Sequence, residues 1–211
     1  MFNSSGHGSE QLSTLLCQYN EYPERRAEVV AEIERDFQQT VAILIMDSCG
    51  FSRTVREHGI IHYLSLLERL WRVVGPLVTE HGGRPLRHDG DNLFAVFPDV
   101  RSALGCAKTI HEYVEIANNP LPAAEEIYVA LGIGYGPVLL VGENDAWGDE
   151  MNLACKLGED LAEGGEVLLT AAAREALGDD ADDEFEDVPL TLSGLNLPAH
   201  RLTRKSHQTD R

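Results

Sequence analysis

Asp47, Asp89 and Asp91 are the residues whose types and setting point first to chemistry. Asp47 ends the apolar run Val41-Ala42-Ile43-Leu44-Ile45-Met46, and the other two precede the apolar stretch Leu93–Phe97. A carboxylate beside segments that seek the core is costly unless something compensates its charge. Asp-Gly is also a favoured hairpin turn, so Arg87-His88-Asp89-Gly90-Asp91 reads equally well as a simple turn. The choice depends on whether the chain brings Asp47 and Asp91 together. Two carboxylates at one point repel unless a divalent cation sits between them, and hard divalent cations take oxygen ligands. A second pair, Asn152 and Lys156, is four residues apart and shares one face of a helix. Taken alone, that pair also reads as two exposed polar residues on a surface helix.

The elements that must place these residues follow from periodicity and breakers. Residues 1–20 are polar and expected to be loosely ordered. Residues 23–38 predict a helix, with Pro23 in its first turn and Ala27, Val30, Ile33 and Phe37 on one stripe. Val41–Met46 predicts a strand buried on both faces, broken at Gly50. A helix over 60–81 follows, with Ile61, Leu64, Leu67, Trp71, Val74 and Val78 as its apolar stripe and Gly82-Gly83 as its stop. Residues 84–97 read as a hairpin with its tip at Gly90, and 99–117 as a helix. Ile127–Tyr135 and Val138–Val141 are expected to form a second hairpin about Gly136-Pro137. Residues 149–162 predict a helix with Asp149 at its N-cap, then a strand at Val167–Thr170 and a small helix. Short edge pieces around Phe185 and His200–Leu202 complete the chain before a polar tail.

The order is β-α-β-β-α-β with appended elements. That is an α+β, ferredoxin-like arrangement, an antiparallel sheet with helices on one face. In this topology the first strand lies beside the 84–97 hairpin, so Asp47 and Asp91 reach the same end of the sheet. The expected organisation is an N-terminal polar segment and amphipathic helix over 1–38, one domain over 39–203 and a tail over 204–211. The N-terminal helix reads either as a dimer-stabilising or regulatory element or as plain core cover.

The 211 residues are 43% hydrophobic, enough for a buried core. Asp and Glu number 35 against 17 Lys and Arg, a net charge of −18. So acidic a chain is a poor binder of nucleic acid or anionic membranes through its general field. An anionic ligand would need metal ions or a few placed cations. Cys17, Cys49, Cys106 and Cys155 form no CxxC pair and fit neither a zinc site nor a disulfide framework, which favours reduced thiols and a cytoplasmic protein. The first residues lack the pattern of a signal peptide, and no apolar run approaches transmembrane length.

Four segments carry a family resemblance. Met46-Asp47-Ser48-Cys49-Gly50-Phe51-Ser52 resembles the Asp-x-x-Gly-Phe-Ser/Thr segment of class III nucleotidyl cyclases. Arg87–Phe97 is similar to their Lys-x-x-Gly-Asp-x-x-x-Ala-x-Phe hairpin, and Gly132-Ile133-Gly134-Tyr135-Gly136 to their Gly-Ile-x-x-Gly strand. Asp145–Leu157 resembles their Asp-x-Trp/Tyr-Gly-x-x-Val-Asn-x-Ala-x-Arg-Leu segment. The resemblance runs in order from about residue 40 to 203.

What it implies is a palm-like catalytic domain that converts a nucleoside triphosphate to the 3′,5′-cyclic monophosphate and pyrophosphate. Two Mg²⁺ or Mn²⁺ ions would sit on Asp47 and Asp91, with the Ser48 peptide carbonyl as an extra ligand. Backbone amides around Cys49, Gly50, Phe51 and Ser52 would cradle phosphates. Arg87 and Asp145 would contact the base, Asn152 the ribose, and Lys156 the transition-state charge, all from the second copy of a homodimer with shared sites. An unidentified regulatory partner is compatible with this reading. Asp145 favours an amino-bearing base, hence ATP, with GTP or a pyrimidine triphosphate as alternatives. Three positions depart from the pattern: Arg87 replaces a lysine, Lys156 an arginine, and Ser193 the lysine of a late Leu-Lys-Gly segment. They leave a second expectation, a weak or inactive nucleotide-binding homodimer.

Overall fold

The structure, a computed structural model, describes residues 5–123, 125–178, 183–192 and 195–203. The tail over 204–211, Ser193 with Gly194, and most of the acidic run after Gly178 lie outside the described residues. The elements are helices α1 (Ser5–Glu21) and α2 (Arg26–Phe37), strand β1 (Gln38–Cys49), helices α3 (Phe51–His58) and α4 (Ile60–Glu80), strands β2 (Arg84–Asp89) and β3 (Asn92–Phe97), and helix α5 (Val100–Asn118). They continue through β4 (Tyr128–Val141), β5 (Asp145–Trp147), α6 (Asp149–Cys155), a π-helical turn (Lys156–Leu161), β6 (Val167–Thr170), α7 (Ala171–Leu177), β7 (Glu184–Leu192) and β8 (Leu195–Thr203).

The strands form one sheet in the order β2-β3-β1-β4-β6-β8-β7, with β5 added to β4. The antiparallel β2-β3-β1-β4 centre, with its helical crossovers, is the expected ferredoxin-like core. β1 is its middle strand and is buried on both faces, as its unbroken apolar run requires. Ala42, Leu44 and Met46 point into a core shared with Leu67, Leu70 and Val74 of α4 and Ala103, Ala107 and Ile110 of α5. Each large side chain among them, Leu, Ile, Val or Met, contributes about 1.5–3 kcal/mol, and each alanine less. The alternate residues Val41, Ile43 and Ile45 pack on the opposite face with Phe94, Val96, Met151 and Ala154, so α6 covers that side and helices lie on both faces of the sheet rather than on one as expected. Among the described residues no helix is long and apolar enough to cross a membrane.

Several expectations are corrected. Ser5–Glu21 is helical rather than loose, and Leu15 with Leu12 and Tyr19 packs on Val29, Ile33, Phe37 and Val141. Apolar residues at positions 12, 15 and 19 are enough to seat a largely polar helix. In α2 the buried residues are Val29, Ile33 and Phe37, while Ala27 and Val30 of the expected stripe are exposed. In α4 the stripe is Tyr63, Leu66, Leu67, Leu70, Val74, Leu77 and Val78; Ile61 is 82% exposed and Leu64 is exposed as well.

Gly136-Pro137 makes no turn, because β4 runs straight through it. Pro137 lies where the second edge of β4 is open, between residues 131–133 paired to β6 and 139–141 paired to β5. A proline is tolerated in a strand at such a place. Gly148, not Asp149, caps α6, and the helix expected over 149–162 turns π-helical at Lys156. The expected edge pieces are a full hairpin, β7 with β8.

Candidate active site

β1 and β3 pair up to Met46↔Leu93, so continuing the register sets Ser48 opposite Asp91 on the hairpin tip. Gly90, at φ 63°, supplies the left-handed residue that the tip needs. The expected convergence is present. Asp91 Oδ2 accepts from Ser48 Oγ at 2.7 Å and from the Tyr63 hydroxyl at 2.7 Å, and the two hydroxyls touch each other. Burial first, and then the charge of Asp91, push the Asp47 carboxyl up to about 7. Glu159 and Asp160, on the π-helical turn, add to the same repulsion. Burial, together with Asp160 and Asp89, raises Glu159 as well. The end of the sheet is thus an acidic concentration, and among the described residues no cation pairs with Asp47.

These oxygens fit a hard divalent ion. Among the described residues no group of three or more His, Cys, Asp or Glu side chains converges as a complete metal cage. A pair of carboxylates is the donor set with which Mg²⁺ sites on nucleotides are commonly built, the remaining positions going to water and phosphate oxygens. Burial first, and then the charge of Asp91, make the Asp47 carboxylate costly, and a bound cation relieves that cost.

Beyond Cys49 the chain turns through Gly50, at φ 92°, and enters α3 at Phe51. The first intrahelical bond runs from Thr54 N to Gly50 O, so the amides of Phe51, Ser52 and Arg53 precede the ladder. Oriented N–H groups at a helix start favour anions. The Cys49 thiol is raised to about 11, by burial first and then by Asp47, and is inert beside them.

Arg87 and Asp145 form a second cluster. A bulge between Pro85 and Arg87 adjusts β2, and the Arg87 guanidinium lies over the Phe94 ring at 4.5 Å. Its Nη1 donates to Asp145 Oδ1 at 2.6 Å. Asp145 opens β5, paired with Val141 across the turn at Gly142. His88 contacts neither aspartate through a hydrogen bond; its ring lies 4.4 Å from that of Trp71.

Asn152 and Lys156 ride on α6 and the turn after it. The Lys156 backbone N–H bonds Asn152 O, so they stand one turn apart on one face, as expected. Asn152 is exposed, and the Lys156 ammonium pairs with Asp160 Oδ2 at 2.5 Å. The glycine strand explains their placement. A β-carbon at Gly132 would lie 2.3 Å from Ala154 O and 2.5 Å from Gly158 N. One at Gly134 would lie 2.8 Å from Glu150 O, and one at Gly136 2.7 Å from Glu150 Cγ. Bare backbone on this face of β4 lets α6 and the π-helical turn lie directly on the sheet. Glu150 Oε2 fastens them by accepting from Thr170 Oγ1 at 2.8 Å and from Tyr135 N at 3.2 Å.

Sequence reasoning therefore located both clusters but missed Tyr63, Glu159 and Asp160. For Tyr63 a signal existed, since it begins the true apolar stripe of α4. For the two acids none did, because their approach to Asp47 depends on the π-helical turn.

No profile of a known protein family matches the chain. A Rhizobium meliloti (strain 1021) protein whose name carries the words adenylate cyclase 3 is 29% identical over 164 residues, which span 77% of this chain and 28% of that protein. A Mycobacterium tuberculosis (strain ATCC 25618 / H37Rv) protein named adenylate cyclase is 26% identical over 182 residues, 76% of this chain and 40% of that protein. The chain thus spans well under half the length of these relatives. In solved structures, an adenylate/guanylate cyclase/hydrolase from Silicibacter pomeroyi superposes with a TM-score of 0.70 at 23% identity, covering 80% of this chain and 98% of that one. The adenylyl cyclase CyaB of P. aeruginosa gives a TM-score of 0.69 at 16% identity, covering 81% and 96%.

Proposed function

We propose that this chain, which has the fold of class III adenylate and guanylate cyclase catalytic domains, is a nucleotidyl cyclase acting on ATP at sites shared by two copies. The product is the 3′,5′-cyclic monophosphate, with pyrophosphate released. The observation that carries this reading is the convergence of Asp47 and Asp91 at one end of β1, where each carboxylate lacks a compensating cation among the described residues.

Asp47, Asp91 and the Ser48 carbonyl oxygen would hold two Mg²⁺ or Mn²⁺ ions. Bound there, such ions activate the ribose 3′-hydroxyl and neutralise triphosphate charge. The amides over Cys49–Ser52 receive phosphate oxygens at the start of α3. Asp145 accepts from the amino group of the base, and Arg87 donates to a base acceptor. Asn152 orients the ribose, and Lys156 brings a positive charge to the α-phosphate as the bond to the leaving pyrophosphate breaks. In the dimer these four residues come from the second copy. GTP and pyrimidine triphosphates are the alternative substrates that replacement of a lysine by Arg87 leaves open. Four free thiols favour the cytoplasm as the place of action.

A second reading, a nucleotide-binding or regulatory homodimer with little turnover, is supported by one observation. The Lys156 ammonium is engaged by Asp160 within its own chain. Mixing two inactive chains separates the readings. Asp47→Ala and Asn152→Ala each lack one half of a shared site, so their heterodimer regains one intact site and metal-dependent product. Heterodimers without product contradict the shared-site enzyme.

A further inference from the structure

Tyr63 lies in the first turn of α4, buried to 3% exposure, and plays no part in the reading above. Its ring is braced edge-on by Phe51 of α3, with centroids 4.8 Å apart. Its hydroxyl reaches across to the hairpin tip and donates to Asp91 Oδ2 at 2.7 Å. Ser48 Oγ, buried on β1, donates to the same oxygen at 2.7 Å. Three separate elements thus converge on one atom of one carboxylate.

A carboxylate oxygen offers about two lone-pair positions. Two hydroxyl donors occupy both on Oδ2 and leave Oδ1 as the oxygen Asp91 can give to a cation. We infer that Tyr63, with Ser48, is a positioning residue that presents Asp91 to a divalent cation through a single oxygen. The inference rests on the reading of Asp47 and Asp91 as metal ligands.

The consequence is selectivity as well as affinity. Mg²⁺ and Mn²⁺ sites of this kind need one well-aimed oxygen from each carboxylate, whereas Ca²⁺ readily takes both oxygens in looser geometry. Freeing Oδ2 lets Asp91 rotate and chelate, which weakens the aim for the small ion and not for the large one. Partners that orient a ligand in this way typically change metal affinity by about 10–100-fold when removed.

The test is calorimetric titration of the full chain with Mn²⁺ and with Ca²⁺, without nucleotide. Tyr63→Phe removes one hydroxyl and keeps the ring against Phe51. The expected result is an Mn²⁺ Kd weakened about tenfold or more, an unweakened Ca²⁺ Kd, and a further shift when Ser48→Ala is added. Should Tyr63→Phe fail to fold, Ser48→Ala alone carries the test, with the same direction expected. A folded variant with both affinities unchanged, or both weakened by one factor, overturns the inference while the metal reading stands. If wild type and Asp47→Ala bind Mn²⁺ equally, the metal reading itself fails and the inference falls with it.

Discussion

Arg87 and Asp145, from β2 and β5, hold each other: the guanidinium Nη1 lies 2.6 Å from the carboxylate Oδ1. The two residues proposed to read the base are bonded to one another before a base arrives. Their side chains are 35% and 43% exposed, so the pair contributes only about 0–1 kcal/mol and a base displaces it at little cost.

Asp145→Ala therefore leaves the fold intact and removes the acceptor for an amino group. A hydrogen bond to a charged group is worth about 1.5–3 kcal/mol, so the preference for ATP over GTP falls by roughly tenfold or more. Competition between the two triphosphates, read from the ratio of cyclic products, measures it. An unchanged ratio would show that Asp145 does not read the base.

The acidic end of the sheet makes stability depend on pH. The folded chain holds the Asp47 proton up to about 7, against 3.8 for an ordinary carboxyl. The folded state binds that proton more tightly than the unfolded one, so the contribution of Asp47 to stability is full below 3.8 and is lost as pH rises toward 7. In chelator, Asp47→Asn should melt above wild type at pH 8, and the two should converge near pH 4. Equal melting temperatures at pH 8 would mean that neither burial nor the charges of Asp91 and Glu159 penalise the Asp47 carboxylate.

Gly132→Ala tests the seat of α6. The added methyl would meet the Ala154 carbonyl oxygen and the Gly158 nitrogen, both backbone atoms that cannot rotate away. Overpacking of this kind costs about 1–3 kcal/mol or more. A fall of several degrees in melting temperature, with loss of product, is expected. Wild-type stability would show that the helix rests less tightly on β4.

Lys156 separates charge from structure. Its pairing with Asp160 is an exposed i,i+4 contact, so Lys156→Ala should change stability by no more than about 0.5 kcal/mol. The expected kinetic effect is a lower kcat with KM for the nucleotide little changed, the signature of a group that acts in the transition state. An unchanged kcat would remove Lys156 from the chemistry.

The central strand was legible because a continuous apolar run can only be buried on both faces, and the hairpin because Asp-Gly names its own turn. With those two placed, topology alone brought Asp47 to Asp91. The first turn of α4 misled because Ile60, Ile61 and Leu64 are apolar yet exposed, so periodicity there pointed to the wrong face and hid Tyr63. Gly136-Pro137 carries a strong turn signal that lost to tertiary packing. The glycines of that strand are there to admit α6, and the proline falls on an open edge. The π-helical turn leaves no local mark in sequence, so the approach of Glu159 and Asp160 to Asp47 was not readable. Neither was the Arg87–Asp145 bond, which joins strands far apart in the chain.

The most direct measurement is incubation of the purified full chain with ATP, GTP, CTP and UTP separately, in Mn²⁺ and then Mg²⁺, with products identified by mass and Asp47→Ala in parallel. The account predicts a cyclic monophosphate, foremost from ATP, that disappears in Asp47→Ala and in chelator. A folded dimer that yields no cyclic product from any of the four, or an Asp47→Ala chain that still yields it, would contradict the account.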